Sequence, residues 1–586
     1  MKLKVPNGVS NFKKLRLRNG YYVDKTSYFK VLLDSIEKGL CQVQLFTRPR
    51  RFGKSLFLSS LEAFLSPNYQ NPEDLSSHLE LFKDTAVLKE TEFCQEFMGK
   101  YPTVLISFKE TESKLNTYED SCFQVALKVK EAVEKLKFIK SFKLDESEQK
   151  KYKAIVDLDK NNFSIEEFPT ALNDICKIIN DHFGVMPIVL IDEYDVPLAK
   201  CYREDYYDNF RKFFASLLGN ALKDGDFVTK AFITGCLKIS KESIFTGFNN
   251  FTVSSLSNGD VPDLCGFTEQ EVDDLLSYYD LTDKKDIFKH WYDGYRIGNK
   301  DIYCPWDVLN YISDLIVDNT KEPWPYWKNS GSFDILRDIY DKAPHEFSED
   351  IAKLVNHETI CKKIDESISF NDVNEKYNPN YFWTMLYSTG YLTLVNSYKH
   401  SKEIELKIPN ACVYDTFKDL ETWTFSKGNV SYSNTRTKLL DALFDGNDSV
   451  CRKILSNTLI VATSYKEFGR NVDKEAYYQS FLNGMFVDYA NNDIYTYDPS
   501  YETGFGCADV VITKNNQQSV ILELKVCKSR EKLEETALVG LNQIFDKKYD
   551  EGVFARKIKV QSIICAGLSF CGKDCYLVFK EVKRES

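Results

Sequence analysis

Short, unbroken apolar runs punctuate the first 240 or so residues: Val43–Phe46, Thr103–Phe108, Ile188–Ile191 and Lys230–Thr234. Runs this brief, lacking polar alternation and separated by helical patterns, predict central strands of a parallel sheet covered on both faces. Between them, Phe168, Ile175, Ile178, Ile179 and Phe183 recur at helical spacing. Ser164 with Glu167 predicts a capping box at the start of that helix, and Gly184 its stop. The charged stretch from Lys109 to Lys160 predicts solvated helices inserted on the surface of the sheet.

From about Pro262 to Pro409 the pattern turns helical and aromatic. Thr268 and Glu271 predict a second capped helix. Trp291–Tyr295 (WYDGY), Pro305 and Trp306 follow, and the region ends in β-rich runs at Tyr391–Val395 and Glu403–Ile408. Its rings read first as core, because large aromatics dominate packing. Beyond Cys412 a helical lead-in precedes a helix over Glu475–Phe486. Two β runs, Ala508–Thr513 and Val520–Val526, then flank the polar Lys514–Gln518, which predicts a hairpin. A helix over Glu531–Tyr549 and a β-rich tail complete the chain. The whole reads as α/β, in three units: 1–260, 261–411 and 412–586.

Composition narrows the picture. With 43% hydrophobic and 14% aromatic residues among 586, the chain is not disordered. Lys and Arg number 76 against 87 Asp and Glu, a net charge of −11. That balance excludes a uniformly basic nucleic-acid coat. It leaves room for a local basic groove, since charge effects fade over about 8 Å. No run approaches the roughly 18 apolar residues of a membrane span. The start, MKLKVPNGVSNFKK, lacks the apolar core of a signal peptide. A cytoplasmic protein with no membrane partner is expected. Sixteen cysteines without a CxxC pair predict reduced thiols. Cys565, Cys571 and Cys575 have no histidine nearby, so zinc is only a weak alternative there.

Thr47–Ser55 reads TRPRRFGKS, directly after one apolar run and before a helical pattern. Strand, loop and helix are the context a phosphate-binding loop requires. Gly53 lets backbone N–H groups approach phosphate oxygens, and the helix N-terminus adds partial positive charge. Lys54 would reach the β- and γ-phosphates of ATP, and Ser55 would ligate Mg²⁺. Arg48 stands where GxxxxGK[ST] has its first glycine, and Arg48, Arg50 and Arg51 make the loop unusually cationic. The run Ile188–Ile191 ends in Asp192 and Glu193. The first suits Mg²⁺, the second the polarisation of attacking water. Thr234 ends another run and could sense the γ-phosphate, with Lys238 assisting.

Near the C-terminus, a turn centred on Asn516 would set Asp509 opposite Glu523, with Cβ atoms about 5 Å apart. Two carboxylates so close repel unless a cation lies between them, and oxygen ligands suit Mg²⁺. Lys525 follows two residues later on the same face, beside the scissile phosphate of a metal-assisted phosphodiester hydrolysis. Gln543 and Lys547 share a face of the next helix. Lys528, Arg530, Lys532, Lys547 and Lys548 would form a basic surface for a phosphate backbone. Spacing alone leaves open an ordinary surface hairpin with a Glu–Lys pair.

Together these residues resemble a bacterial family that fuses an AAA-ATPase-like domain to a PD-(D/E)XK nuclease-superfamily domain. The matching segments, in order, are YYVDKT (Tyr21–Thr26), TRPRRFGKS, IDEYD (Ile191–Asp195), Thr234-Gly235 with ISKES (Ile239–Ser243), Phe267-Thr268, WYDGY, TGYLT (Thr389–Thr393), IPN (Ile408–Asn410), and Ala508-Asp509 with ELK (Glu523–Lys525). The family loop reads RPRRFGK[ST], so Arg48 resembles a family feature. The resemblance implies ATP binding and hydrolysis by Lys54, Ser55, Asp192 and Glu193. It implies nuclease metal and catalytic roles for Asp509, Glu523 and Lys525, with Gln543 as an accessory. Ala508 replaces the usual proline, and Glu475 is the candidate for an additional acid from the preceding helix. Residues 262–409 resemble a helical, partly winged-helix-like extension. No role attaches to Tyr22, Asp24 or Lys25.

The expected function is an ATPase coupled to Mg²⁺-dependent hydrolysis of nucleic acid, most readily DNA. The alternative is an ATPase-type signalling or assembly switch whose C-terminal domain binds nucleic acid or partners without cutting. An ATPase of this type can draw an arginine from a neighbouring copy, so a homo-oligomer stays open.

Overall fold

The four early apolar runs become strands β1 (Gln42–Thr47), β2 (Thr103–Ser107), β3 (Ile188–Asp192) and β4 (Lys230–Gly235). A fifth, β5 (Phe251–Ser254), extends the sheet, which is parallel throughout in the order β2-β3-β4-β1-β5. Every residue of β3 and β4 is buried, which is why these strands read as unbroken apolar runs. β5 is an edge strand, mostly half-buried or exposed, and its FTVS carries no such signal. The computed structural model describes residues 2–33, 42–109, 117–223, 226–237, 244–245, 248, 250–256, 261–329, 346–355, 357–364, 379–396, 403–424, 432–462, 474–486 and 494–584. Lys238 and Ile239–Ser243 lie outside them.

The helix expected from Ser164 begins later, at Ala171. The Glu167 amide does donate to Ser164 Oγ at 3.2 Å. Pro169 then confines the chain to a 3-10 turn over Phe168–Thr170, because proline is tolerated only at a helix start. Gly184, at φ 76°, ends the helix as expected. The charged stretch holds helices Tyr118–Lys135 and Glu146–Val156. The first is not merely solvated, since it buries Val125, Ala126, Val129 and Val133.

The chain divides into two compact units, 1–418 and 419–586. The first includes the aromatic middle region. There the Thr268–Glu271 capping box forms in both directions. Short strands β6 (Tyr295–Ile297) and β7 (Lys300–Ile302) make a hairpin, and β8 (Ile360–Lys362), β9 (Thr393–Leu394) and β10 (Ile404–Lys407) a small sheet ordered β8-β10-β9.

The second unit is built on β11 (Tyr495–Thr503), β12 (Gly506–Lys514), β13 (Gln518–Val526), β14 (Ser562–Cys571) and β15 (Asp574–Lys583), neighbours in that order. Only β13 and β14 run parallel. Val510, Ile512, Leu522 and Leu524 face a core with Leu439, Leu455 and Leu482. Val511 and Ile521 face the opposite core, with Leu541 and Ile544. The helix expected over Glu531–Tyr549 is two, Leu533–Asp546 and Tyr549–Arg556, because Lys548 between them is left-handed at φ 55°. No described helix is long and apolar enough to cross a membrane, and every described cysteine is unbridged.

Candidate functional sites

The register Ser107↔Asp192 and Phe46↔Thr234 brings the C-terminal strand ends level. Ligands of open parallel sheets bind at that edge. β1 passes there into Arg48–Gly53 and then the helix Lys54–Leu65. Gly53 precedes that helix at φ 89°, and a Cβ on it would meet nothing within 4 Å. Its requirement is therefore conformational rather than steric.

Lys54 is 3% exposed. Its Nζ donates to the carbonyls of Arg48 at 3.0 Å and Pro49 at 2.9 Å, bracing the loop. Burial opposes its charge, but Cys236, Glu193, Asp195 and Asp192 outweigh that and hold its pKa above the ordinary value. Asp192, at the end of β3, accepts from three hydroxyls. Oδ2 takes Ser55 Oγ at 2.7 Å and Ser107 Oγ at 3.3 Å, and Oδ1 takes Thr234 Oγ1 at 2.9 Å. Glu193 is left-handed at φ 55°. Burial pushes its carboxyl upward, Lys54 opposes, and Asp192 and Asp195 add to the rise. Gly53, Lys54, Ser55, Arg50 and Glu193 line one cavity of about 780 Å³.

Two of the loop arginines are engaged by the protein itself. Arg48 is fully buried and donates to the carbonyls of Thr47 (2.8 Å), Ser254 (3.0 Å) and Val261 (2.9 Å). Of the three arginines that make the loop cationic, this one is spent on carbonyls: its guanidinium ties the loop to β5 and to the middle region. Arg51 lines the cavity, and its guanidinium lies 4.3 Å over the Trp306 ring, a cation–π stack. The loop is also gripped through Phe52, whose carbonyl accepts from the Gly266 amide at 2.9 Å.

In the second unit the hairpin register pairs Val510 with Leu522 and Lys514 with Gln518. Asn515 and Asn516 both take positive φ, and the Gln517 amide donates to Lys514 O at 3.0 Å. The same register, continued one step past its last pair, sets Asp509 opposite Glu523. There the carboxylate of Asp509 replaces the ladder, accepting the Leu524 amide at 2.7 Å. Glu523 is 2% exposed. Its Oε1 accepts from Lys525 Nζ at 3.0 Å and from Gln543 Nε2. Its Oε2 is buried with no hydrogen-bond partner. Burial, then the Asp509 charge, pushes the Glu523 carboxyl up to about 7 against the pull of Lys525 and, more weakly, of the Asp509 backbone amide, which forms no well-aligned bond to Oε2. Burial also raises Asp509, with Glu475 contributing, so the acid of the preceding helix does lie within electrostatic reach.

Residues 6–245 match the family described as "Predicted AAA-ATPase", and residues 473–580 match the PD-(D/E)XK nuclease superfamily. The chain joins an AAA-ATPase-like domain to a PD-(D/E)XK nuclease-superfamily domain. It is 24% identical over 502 residues to an uncharacterized protein in the vnfD 5′ region of Azotobacter chroococcum mcd 1, covering 83% of each chain. A stretch of 118 residues is 29% identical to a probable cytochrome P450 514A2 of Dictyostelium discoideum. It covers 20% of this chain and 23% of that one, too little for a functional argument.

In the AAA-ATPase-like domain, sequence reasoning missed Asp195 as a structural clamp. Its Oδ2 accepts the amides of Cys236 (2.9 Å) and Leu237 (3.1 Å), fixing the chain after β4. Gly235 answers it: a Cβ there would lie 2.7 Å from the Tyr194 ring. The YYVDKT segment also gains a place. Tyr22 and Lys25 line the cavity, Lys25 pairs with Glu271 at 2.7 Å, and Asp24 accepts the amides of Thr26 and Ala86. Beyond its match to the family segments, its signal in the chain is an apolar–polar run with no periodicity to explain it. In the nuclease-superfamily domain the expected basic surface is partly neutralised, because Arg530 pairs with Asp574 and Lys548 with Glu551.

Proposed function

We propose that the AAA-ATPase-like domain binds and hydrolyses ATP with Mg²⁺, and that the nuclease-superfamily domain hydrolyses phosphodiester bonds of DNA with Mg²⁺. Nucleotide turnover in the first would gate or position cutting by the second. In this reading Gly53 and Lys54 hold the phosphates, with Arg51 at the cavity wall. Ser55 and Asp192 hold the ion, Thr234 senses the γ-phosphate, and Glu193 orients the attacking water.

The observation that carries the nuclease reading is the unpartnered Oε2 of Glu523, buried beside Asp509. A buried carboxylate oxygen without a donor is costly, and a cation between the two acids would offset that cost. Among the described residues no three His, Cys, Asp or Glu enclose a metal. A pair of acids leaves several positions to water, which is how Mg²⁺ is usually held. Bound there, the ion would supply a Lewis acid at the scissile phosphate. Lys525 would stabilise charge developing on that phosphate. Gln543 holds Glu523 in place.

The test is ATP hydrolysis and cleavage of labelled DNA and RNA by wild type, Lys54→Ala and Glu523→Ala, with and without ATP. Lys54→Ala should lose ATP hydrolysis. Glu523→Ala should keep it and lose cleavage. Cleavage by Glu523→Ala at the wild-type rate would remove the assigned site. Binding of DNA without cleavage by wild type would transfer the reading to the switch alternative.

A further inference from the structure

The hairpin that leads into Asp509 ends in a Phe held out into water. Thr503 pairs with Gly506, so Gly504 and Phe505 form a two-residue loop, with Gly504 at φ 57°. Positive φ at the first central residue is the type II′ form. The tip is clamped. The Phe505 amide donates to Lys547 O at 2.7 Å. A Cβ on Gly504 would lie 2.2 Å from Lys547 O, and one on Gly506 2.8 Å from Tyr549 Oη. Both glycines therefore let the tip seat against the turn between the last two helices. The Phe505 side chain is nevertheless 72% exposed.

Single exposed apolar side chains are common and need no explanation. Three facts set this one apart. Its backbone is clamped, so the Cα–Cβ bond that carries the ring keeps one place at the tip. Asp509 follows four residues later on the strand, at roughly 3.3 Å per residue about 13 Å away. Lys547, whose carbonyl holds the tip, lies one helical turn after Gln543, which donates to Glu523. Lys547 is exposed and forms no ion pair among the described residues. An exposed ring on a clamped tip, bonded through its backbone to an exposed lysine and set at the end of the sheet that carries the paired acids, suits an unstacked base with its phosphate. Stacking on an aromatic ring is how single strands are gripped without regard to sequence.

We propose that Phe505 stacks on an unpaired base and, with Lys547, directs the nuclease-superfamily domain to single-stranded or frayed DNA. The proposal rests on the nuclease reading above. The test uses the full chain carrying Glu523→Gln, so that bound DNA is not cut. Binding is followed by fluorescence anisotropy with three probes: a single-stranded oligonucleotide, the same strand with abasic sites, and a blunt duplex. With Phe505 intact, the single strand should bind best. Phe505→Ala should weaken that binding roughly tenfold or more, leave abasic and duplex binding within about twofold, and so erase the preference. Phe505→Trp should retain it. Equal weakening on all three probes would mark a structural role and overturn the proposal, as would no change on any. If the parent binds none of the probes, nucleic-acid binding itself falls, and the proposed function with it. If the parent binds and Phe505→Ala is silent, only this inference falls.

Discussion

The two candidate sites treat their central acids in opposite ways. Asp192 is buried at 3% exposure, and both of its oxygens accept from hydroxyls on three separate elements. Glu523 is equally buried, yet one oxygen has two donors and the other has none. Asp192 is thus satisfied by the protein alone, and a metal would have to displace or share Ser55. Glu523 is incomplete by itself, and its carboxyl rises to about 7. One acid is held complete by the protein's own hydroxyls. The other belongs to a strained pair that a cation would relax.

Glu523→Gln is the sharpest way to break this comparison. Cleavage should fall by on the order of 10³-fold or more, since residues acting as a catalytic unit fail together. In metal-free buffer the variant should also melt higher than wild type, because it removes a buried charge with an unpaired oxygen. Mg²⁺ should raise the wild-type melting temperature, by about 2–4 °C per kcal/mol of binding energy, and leave the variant nearly unmoved. An equal Mg²⁺ shift in both proteins would show that the unpaired oxygen is not where the ion acts.

Lys54→Ala probes the satisfied site. ATP hydrolysis should drop by about 10²–10³-fold, the usual cost of losing one charge-stabilising group. The carbonyls of Arg48 and Pro49 would also lose their donor, at about 1–3 kcal/mol if they stay dry. Thermal unfolding without nucleotide should therefore move down, the reverse of the shift expected for Glu523→Gln. Opposite signs at the two sites would confirm that only one is complete without its ligand.

Asp307 offers a third buried acid, distant in chemistry from both. It is 1% exposed, and Cys412 Sγ lies 3.8 Å from its Oδ1. Burial pushes its carboxyl up to about 7, with Cys304, Cys412 and the Trp327 backbone pulling the other way, and the buried Tyr292 and Tyr295 and the half-buried Tyr326 nearby. The folded value lies above the unfolded one. Its contribution is therefore complete below about pH 4 and is lost as pH rises through about 7. The total is a few kcal/mol, with about 4 as the upper end. Urea midpoints should fall from pH 5 to pH 8 in wild type and stay flatter in Asp307→Asn. Parallel profiles would mean that thiol donors satisfy this acid as fully as hydroxyls satisfy Asp192.

Much of this is legible in the chain. Strands buried on both faces announce themselves as apolar runs, so β1 to β4 and the acids ending β3 are readable. The Asp509–Glu523 register follows from a polar turn centred on Asn516. The misses share a physical cause: they depend on partners distant in sequence. β5 is half-exposed and, among the described residues, pairs only with β1. Arg48 reads only as one charge of a cationic loop until Ser254 and Val261 close around it. Strand β11 reads as YTYDPSYET, whose Asp498 and Pro499 disguise an edge strand. Nothing local indicates that Asp195 clamps the chain after β4.

The smallest expected effect tests how redundant the satisfied acid is. Ser107 Oγ, at 3.3 Å, is the longest of the three donors to Asp192 and shares Oδ2 with Ser55. Thr234 Oγ1, at 2.9 Å, is the hydroxyl that Oδ1 depends on among the described residues. Ser107→Ala leaves Oδ2 with a partner, so stability should fall by about 0.5–1 kcal/mol and ATP affinity by less than about fivefold. Thr234→Val preserves shape but strips Oδ1, so the cost should reach about 1–3 kcal/mol. The two substitutions thus separate a spare donor from a necessary one by urea melts alone. Equal costs would mean that Asp192 is held as one indivisible network, and the contrast with Glu523 would then rest on cooperativity rather than on the count of donors.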